Sequence, residues 1–215
     1  DILRRIRKPA TLERILQACG LINKYPEIFV GGNYIIGFFA EEPFWQILDT
    51  FKFSCKTNLD WSSISVFQFT SREIIVQERL KKKDLGDTAV TPARYRPDGK
   101  LVYNENVISG PEIFNIEMDA IPSPDQVREI WFAFNLIGNY INNKNLMPGG
   151  RPEKFASWAE ILEATYPYNA YMPLFVALAC IMLGNKDKAF EQLNKAKRNL
   201  ANDKYWKERF EQFGL

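Results

Sequence analysis

The amino-terminal part of the chain alternates between helical and strand-like spacing of its apolar side chains. A helix is predicted over residues 11–25, where Thr11 can cap the amino terminus and apolar residues recur every three or four positions. Its apolar face consists of Leu12, Ile15, Leu16 and Cys19. Residues 28–38 then form an apolar run, and residues 61–69 alternate and are rich in β-branched and aromatic side chains. Both segments are typical of β-strands.

A second helix is predicted between these two strands. Its apolar stripe consists of Phe44, Ile47, Leu48, Phe51 and Cys55. Glu41, Glu42 and Pro43 precede the stripe and suit the first turn of a helix, because carboxylates complement the helix amino terminus and proline is tolerated there. A helix that connects two strands makes them parallel neighbours, so this part predicts an α/β sheet or barrel.

The helical and strand-like spacing is lost over residues 70–122. A charged segment, SREIIVQERLKKK, indicates a short helix, RPDGK at 96–100 indicates a turn, and the LVY that follows indicates an edge strand. A segment this irregular is typical of a lid, a partner surface or partial disorder. We therefore divide the chain into an α/β part at 1–80, a connecting region at 81–122 and a helical region at 123–215.

The helical region begins with a capping signature. Ser123 is a good cap, Pro124 suits the first helical position, and Gln126 completes a capping box. The stripe that follows consists of Val127, Ile130, Trp131, Phe134, Ile137 and Ile141, and its aromatic residues are expected in the core rather than in a cofactor site. Further helices are predicted at 153–165, 170–183, 186–199 and 203–212.

Small residues mark the turn between two of these helices. Gly184 is followed by Ala189 and Ala196, at offsets that let two antiparallel helices approach closely. The segment 170–200 resembles one tetratricopeptide-type hairpin, which would imply a protein partner for the carboxyl-terminal helices. The alternative is a helical cap on another structure, since any tight hairpin needs small residues and no second repeat is found.

Composition excludes several classes of function. With 28 basic and 26 acidic residues, the chain lacks the charge excess of a nucleic-acid-binding protein. No apolar run approaches the roughly 18 residues of a membrane span, and no signal peptide is visible. Three scattered cysteines, Cys19, Cys55 and Cys180, favour a reducing cytoplasm. There is no histidine, so imidazole catalysis and histidine-ligated metals are excluded within this chain, and neither catalytic nor metal-binding residues are assigned.

The first predicted strand ends in an unusual turn. Its sequence, IIGFFAEE at 35–42, places Gly37 where the apolar run stops. A glycine at the carboxyl end of a parallel strand lets the backbone approach a flat ligand, and this end usually forms the site face of an α/β protein. The alternative is that Gly37 only relieves packing against a neighbour.

This turn resembles a motif of the radical SAM enzymes. IIGFFAEE is similar to their IIGFPGET, particularly in the subgroup with a cobalamin-binding domain. Gly37 and Glu41 match, whereas Phe39, Ala40 and Glu42 replace Pro, Gly and Thr. The flanking helices and strands are similar in order and spacing, so the resemblance covers residues 1–80.

The resemblance implies the last two strands of a partial radical SAM barrel, followed by a mainly α-helical carboxyl-terminal region. It implies S-adenosylmethionine and a 4Fe-4S cluster as cofactors, with cobalamin as a further cofactor of the subgroup. The cofactor-binding residues carried over are Ile36, Gly37, Phe38, Val66, Phe67 and Gln68. Glu41 is given no catalytic role. No CxxxCxxC motif is present, so the cluster ligands would belong to an upstream part of the same polypeptide, and this chain alone would be inactive.

Two hypotheses of different classes follow. The first is the carboxyl-terminal part of a radical SAM enzyme that acts on a small-molecule substrate. The second is a tetratricopeptide-like module that binds a protein partner. A hydrolase or metal enzyme is disfavoured, because the sequence contains no nucleophile elbow and no paired-carboxylate signature.

Overall fold

The amino-terminal part folds as a small α/β unit. The structure is a computed structural model that describes residues 2–5, 7–38, 41–67, 94–95, 101–102 and 115–214. Its first elements are α1 (Ile2–Arg5), α2 (Leu12–Ile22), β1 (Gly31–Ile36), α3 (Phe44–Thr57), β2 (Trp61–Val66), β3 (Arg94–Tyr95) and β4 (Leu101–Val102). The predicted order of helix, strand, helix and strand is therefore confirmed, and the predicted LVY edge strand corresponds to β4, which pairs antiparallel with β3.

The remainder of the described chain is mainly helical. Its elements are α4 (Pro124–Leu136), a π-helical turn (Ile137–Ile141), a 3-10 turn (Lys144–Leu146), α5 (Pro152–Thr165), α6 (Tyr171–Met182), α7 (Lys186–Asn202) and α8 (Lys204–Phe213). None of the helices in the described part of the chain has the length and apolar character that crossing a membrane requires. The short helix predicted within 71–83 and the turn at 96–100 lie outside the described residues.

Strands β1 and β2 are parallel neighbours, as predicted. They pair in register from Gly31 opposite Trp61 to Ile36 opposite Val66. Both strands are shorter than the predicted segments, because the flanking residues 28–30 and Phe67 have no regular strand geometry. The crossover helix α3 packs on one face of this pair, as a parallel connection requires.

The caps of two helices follow the sequence signals. The Thr11 hydroxyl accepts a hydrogen bond from the Arg14 N–H at 3.3 Å at the start of α2. Ser123 and Gln126 form a full capping box at the start of α4, with hydrogen bonds of 2.8 and 3.2 Å. Two orphan backbone donors are satisfied reciprocally there, which fixes where α4 begins.

The prediction for the start of α3 was wrong. The helix begins at Phe44, with Pro43 as its cap, and no acidic residue lies in its first turn. Its first two N–H groups donate instead to the carbonyls of Ala120 and Met118, both at 2.9 Å. A distant segment thus satisfies the orphan donors for which the carboxylates were expected.

Two hydrophobic clusters organise the molecule. One lies between the sheet, α3 and α4, and includes Ile36, Ile47, Ile64, Val127 and Ile130. The other joins the π-helical turn to α5, α6 and α8 around the buried rings of Tyr140, Phe155 and Trp206. Since α4 and its π-helical extension contribute to both clusters, they join the α/β part to the helical part. The predicted aromatic core of this helix is confirmed for Phe134, which is buried and stacks on Phe51.

Helices α6 and α7 form the predicted tight hairpin. Gly184 adopts a left-handed backbone with φ of 75° at the turn, which glycine accepts without strain. Ala189 and Ala196 are buried against α6, so their small side chains do allow the close approach that was predicted.

Candidate functional site

The predicted site lies where both parallel strands end. Ile36 and Val66 are register partners at the carboxyl edge of the sheet, and the Phe67 N–H donates to the Ile36 carbonyl at 2.9 Å. After Ile36 the chain turns through Gly37, whose φ of 64° lies in the left-handed region. A side chain at this position would be strained, so the turn favours glycine.

An aromatic pair and a buried carboxylate surround this turn. The rings of Phe38 and Phe67 lie 4.3 Å apart at an interplanar angle of 41°. The Phe38 N–H donates to Glu42 Oε2 at 2.7 Å, and Glu42 is only 2% exposed. The Glu42 carboxylate therefore connects the turn after β1 with the segment just before α3. The sequence analysis did not assign this role to it.

Five of the six predicted cofactor-binding residues come together at this edge, and Gln68 lies outside the described residues. Ile36 and Val66 are buried in the cluster beneath the sheet, so their side chains face the helices. Only their backbone groups can contribute at the edge, and the Ile36 carbonyl already accepts a hydrogen bond from the Phe67 N–H there. Gly37, Phe38 and Phe67 are partly exposed and form the accessible part of the site.

The two faces of the sheet differ in chemistry. Tyr34, Ile36, Ile64 and Val66 point towards α3 and α4. The opposite face presents Gly31, Asn33, Ile35, Ser63 and Ser65, and at its amino-terminal end Trp61, which is buried in the second cluster against Trp158. Ile35 is 46% exposed, and no helix of the described part covers this residue. The alternation in GGNYII and WSSISV carried this signal, because side chains at every second position share one face of a strand.

Helix α4 and its extension seal the outer edge of β2. The Asn139 side chain accepts from the Ser62 N–H at 2.6 Å and donates to the Ser62 carbonyl at 2.8 Å. One helical turn earlier, Asn135 makes the same two contacts with Ile64, at 3.3 and 2.9 Å. The indole N–H of Trp131 also donates to the Ile64 carbonyl, at 2.7 Å. Side chains therefore occupy the positions that a third strand would take.

The edge of β1 has no such seal in the described part of the chain. Its sheet consists of β1 and β2 alone, so the outward backbone groups of Gly31, Asn33 and Ile35 meet no paired strand there. An exposed strand edge is a template for pairing with a further strand. Within the described residues, side chains close the β2 edge at Ser62 and Ile64, and the β1 edge is left open for a further strand.

The residues carried over by the resemblance offer backbone and aromatic surfaces at this edge. Tyr34 of β1 lies on the helix-facing side, where its hydroxyl contacts Thr57 Oγ1 at 2.7 Å. Burial raises the pKa of Tyr34, and the hydrogen bond with Thr57 opposes that shift. Within the described residues, no three cysteine, aspartate or glutamate side chains cluster in a way that could hold a metal ion. The free thiols of Cys19, Cys55 and Cys180 belong to three different helices.

Known proteins provide no independent identification. No family model, curated protein or solved structure matches this chain.

Proposed function

We propose that this chain is the carboxyl-terminal part of a radical SAM enzyme and that residues 31–67 are the last strand–helix–strand unit of its partial barrel. The single observation that carries the proposal is the asymmetry of the sheet. The outer edge of β2 is closed by Asn135 and Asn139, whereas β1 ends the sheet in the described part. A last barrel strand needs a closed outer edge, and the strand before it needs an open one for its predecessor.

The arrangement of helices supports the same proposal. In an α/β barrel the helices cover the outside, and ligands bind at the carboxyl ends of the strands. Here α3 and α4 cover one face, the opposite face carries mostly small and polar side chains beside Ile35 and Trp61, and Gly37 lies at the carboxyl edge. The resemblance of IIGFFAEE to the radical SAM motif falls on this turn.

The residues of the turn fit the adenine of S-adenosylmethionine. The backbone at Ile36, Gly37 and Val66 would bind its edge, and Phe38 or Phe67 would offer a ring face, with Gln68 as a further contact. Because the two rings are 4.3 Å apart, they pack on each other, and adenine would stack on one ring rather than between them. When bound, the cofactor and its cluster supply the radical that starts the reaction. The residues of this chain would orient the adenine and exclude water.

The cluster ligands would come from an upstream part of the polypeptide. Cys19, Cys55 and Cys180 do not form a CxxxCxxC motif, so this chain alone would bind no cluster and would be inactive. We assign no residue of this chain to cobalamin.

The first test uses the full-length product of the gene. It is purified without oxygen, its iron and sulfide are measured, and it is incubated with S-adenosylmethionine and dithionite. The proposal expects about four irons per chain and release of 5′-deoxyadenosine. A full-length protein without iron and without this product would overturn it.

A second test measures binding of S-adenosylmethionine, which locates the site without requiring an active enzyme. We expect Phe38→Ala to weaken binding of S-adenosylmethionine about tenfold by equilibrium dialysis, the order of loss for one stacked base. The control is Leu178→Ala, an exposed position on α6. Unchanged binding in Phe38→Ala, or equal loss in both variants, would remove Phe38 from the site.

The second candidate function is a tetratricopeptide-like module that binds a protein partner. It is favoured by exposed apolar side chains on the hairpin of α6 and α7, namely Leu178, Ile181, Met182, Leu183 and Phe190. A module of this kind would purify without iron. Its partner, cross-linked in cells, would be lost in Phe190→Glu and retained in Lys197→Glu, an exposed change on the same helix.

A further inference from the structure

A second concave site lies at the opposite end of the sheet. A cavity of about 270 Å³ opens between the segment before β1, the start of β2, the 3-10 turn and the start of α5. Its charged lining residues are Lys144, Arg151, Lys154 and Asp60. The carboxyl-edge turn at Gly37 is not among the lining residues, so the two sites are separate.

Asp60 is the fully buried hub of this cavity. Its carboxylate accepts hydrogen bonds from the Val30 N–H at 2.8 Å, from the Asn145 amide at 3.0 Å and from Lys154 Nζ at 2.9 Å. Lys144 Nζ lies 3.5 Å from Asp60 Oδ1, and Lys154 Nζ lies 2.9 Å from the same oxygen. Two ammonium groups therefore meet at one carboxylate and leave a positive charge uncompensated.

Arg151 adds a third cation to the lining. Its Nη1 donates to the Pro26 carbonyl at 2.6 Å, and its Nε pairs with the exposed Glu153 at 2.9 Å. Glu153 is not a lining residue of the cavity. The charged side chains that line the cavity are thus three cations and one carboxylate.

Neutral oxygen atoms of the backbone and of one asparagine side chain help to hold the two lysines in place. Lys144 Nζ donates to the Asn58 carbonyl at 2.9 Å and to Asn23 Oδ1 at 3.0 Å, while Lys154 Nζ donates to the Ile28 carbonyl at 2.8 Å. These partners position the ammonium groups, and Asp60 alone among their partners carries a compensating charge. Since the side chains are already ordered, an anion that binds them loses little conformational entropy in the protein.

The loop beside the cavity has no space for a side chain at Gly150. A Cβ on Gly150 would lie 2.3 Å from the Lys144 carbonyl and 2.7 Å from the Asn145 carbonyl, so the backbone of the loop packs directly on the 3-10 turn. Lys144 and Arg151 both line the cavity. Lys144 and Arg151 remain partly exposed, at 27% and 43%, so an anion from solvent can reach them.

We propose that this cavity binds the phosphate group of a small anion. Glu153 already offsets Arg151 and Asp60 offsets one lysine, so one positive charge remains in excess. A phosphate has more acceptor oxygens than a carboxylate and can therefore accept from Lys144 and Arg151 at the same time. Lysine and arginine are the usual partners of phosphate oxygens. The proposal does not depend on the proposed function, because no residue of the carboxyl-edge site takes part.

The test compares phosphate with chloride at equal ionic strength and pH 7.5. A ligand that binds only the folded protein raises the unfolding midpoint in a saturable way. We expect such a rise with inorganic phosphate and with glycerol 3-phosphate, and none with acetate. Calorimetric titration then gives the dissociation constants. A rise with inorganic phosphate alone would restrict the site to the free ion, whereas tighter binding of glycerol 3-phosphate would assign it to a phosphate ester.

Variants locate the binding in the cavity. Lys144→Met and Arg151→Met are each expected to weaken phosphate binding about tenfold, the order of one charge-assisted contact. Lys188→Met is the control, because Lys188 pairs with Glu160 at 2.6 Å and does not line the cavity. Circular dichroism at the titration temperature identifies folded variants. Equal effects of phosphate and chloride, or unchanged affinity in both cavity variants, would overturn the proposal.

Discussion

The side-chain amide of Asn139 pairs with both backbone polar groups of Ser62, although 77 residues separate them in the chain. Both residues are buried, so neither backbone group can turn to water instead. The helix thus provides the hydrogen bonds of a missing strand, and the edge of β2 depends on this one side chain for its pairing at Ser62.

We predict that Asn139→Leu lowers the free energy of unfolding by about 3 kcal/mol, because it leaves a buried donor and a buried acceptor unpaired. Urea denaturation measures the change. Asn142→Leu, at an exposed position three residues further on, is expected to change stability little. Equal losses in the two variants would show that the Ser62 pairing is not the cause.

The ion pair of Glu129 and Arg209 connects α4 with α8 in a buried setting. Burial raises the pKa of Glu129, and the hydrogen bond and charge of Arg209 act in the opposite direction. We predict that Arg209→Met alone costs about 3 kcal/mol of stability, whereas the double variant Glu129→Leu/Arg209→Met recovers most of that loss. A double-mutant cycle from denaturation curves measures the coupling. Simple additivity of the single changes would contradict this prediction.

The backbone conformation of Gly37 can be tested by comparing its alanine variant with that of Gly20, a glycine in a regular helix. At Gly37 an alanine Cβ would have ordinary contacts, 3.5 Å from Val127 and 3.8 Å from Val66, but φ is 64°. Gly37→Ala is therefore expected to cost about 1–2 kcal/mol from left-handed strain alone. Gly20→Ala, within α2 and with open space around it, is expected to gain about 0.5–1 kcal/mol. Thermal denaturation shows whether each variant is less or more stable than the wild type. Higher stability of Gly37→Ala would contradict the left-handed conformation of Gly37.

Asp60 gives the stability of the protein a defined pH dependence. Burial opposes its ionisation, but Lys154, the Val30 N–H, Asn145 and the charge of Lys144 together hold the pKa of Asp60 below its ordinary value. A carboxylate with a lowered pKa stabilises the fold above the pKa of the unfolded chain, about 3.9, and this contribution is lost as pH falls through the folded pKa.

We therefore predict that Asp60→Asn lowers the free energy of unfolding by about 3 kcal/mol at neutral pH and that the difference from the wild type shrinks below about pH 4. Urea denaturation at a series of pH values measures both quantities. The control is Asp49→Asn, an exposed residue paired with Lys52 at 3.8 Å, for which we expect a small difference at every pH. A constant penalty for Asp60→Asn down to pH 2.5 would contradict the assignment.

The order of helices and strands was predictable because it depends on local spacing. Period-two and helical patterns report which side chains face a core, and β1, α3, β2 and α4 follow them closely. The capping box at Ser123 fixed one helix start for the same local reason. The start of α3 could not be predicted this way, since the carbonyls of Met118 and Ala120 come from a distant segment.

The candidate site was predictable in position but not in chemistry. The strand ends at Ile36 and Val66 do meet at one edge, yet their side chains face the helices, which a short apolar run cannot reveal. Asn135 and Asn139, spaced four apart, resemble an ordinary polar helix face in sequence. Their partners, Ile64 and Ser62, lie more than 70 residues away. The roles carried over from the radical SAM resemblance stay predictions.

The closed edge of β2 also limits how many further strands can pair with this sheet. If two chains meet through their strands, only the β1 edges of the described sheet are available, so each copy can accept one neighbour. Growth by strand addition would then stop at a pair instead of continuing into a fibre, which requires two open edges on every copy. Asn135 of α4 and Asn139 of the π-helical turn would then limit strand addition to one side of this sheet.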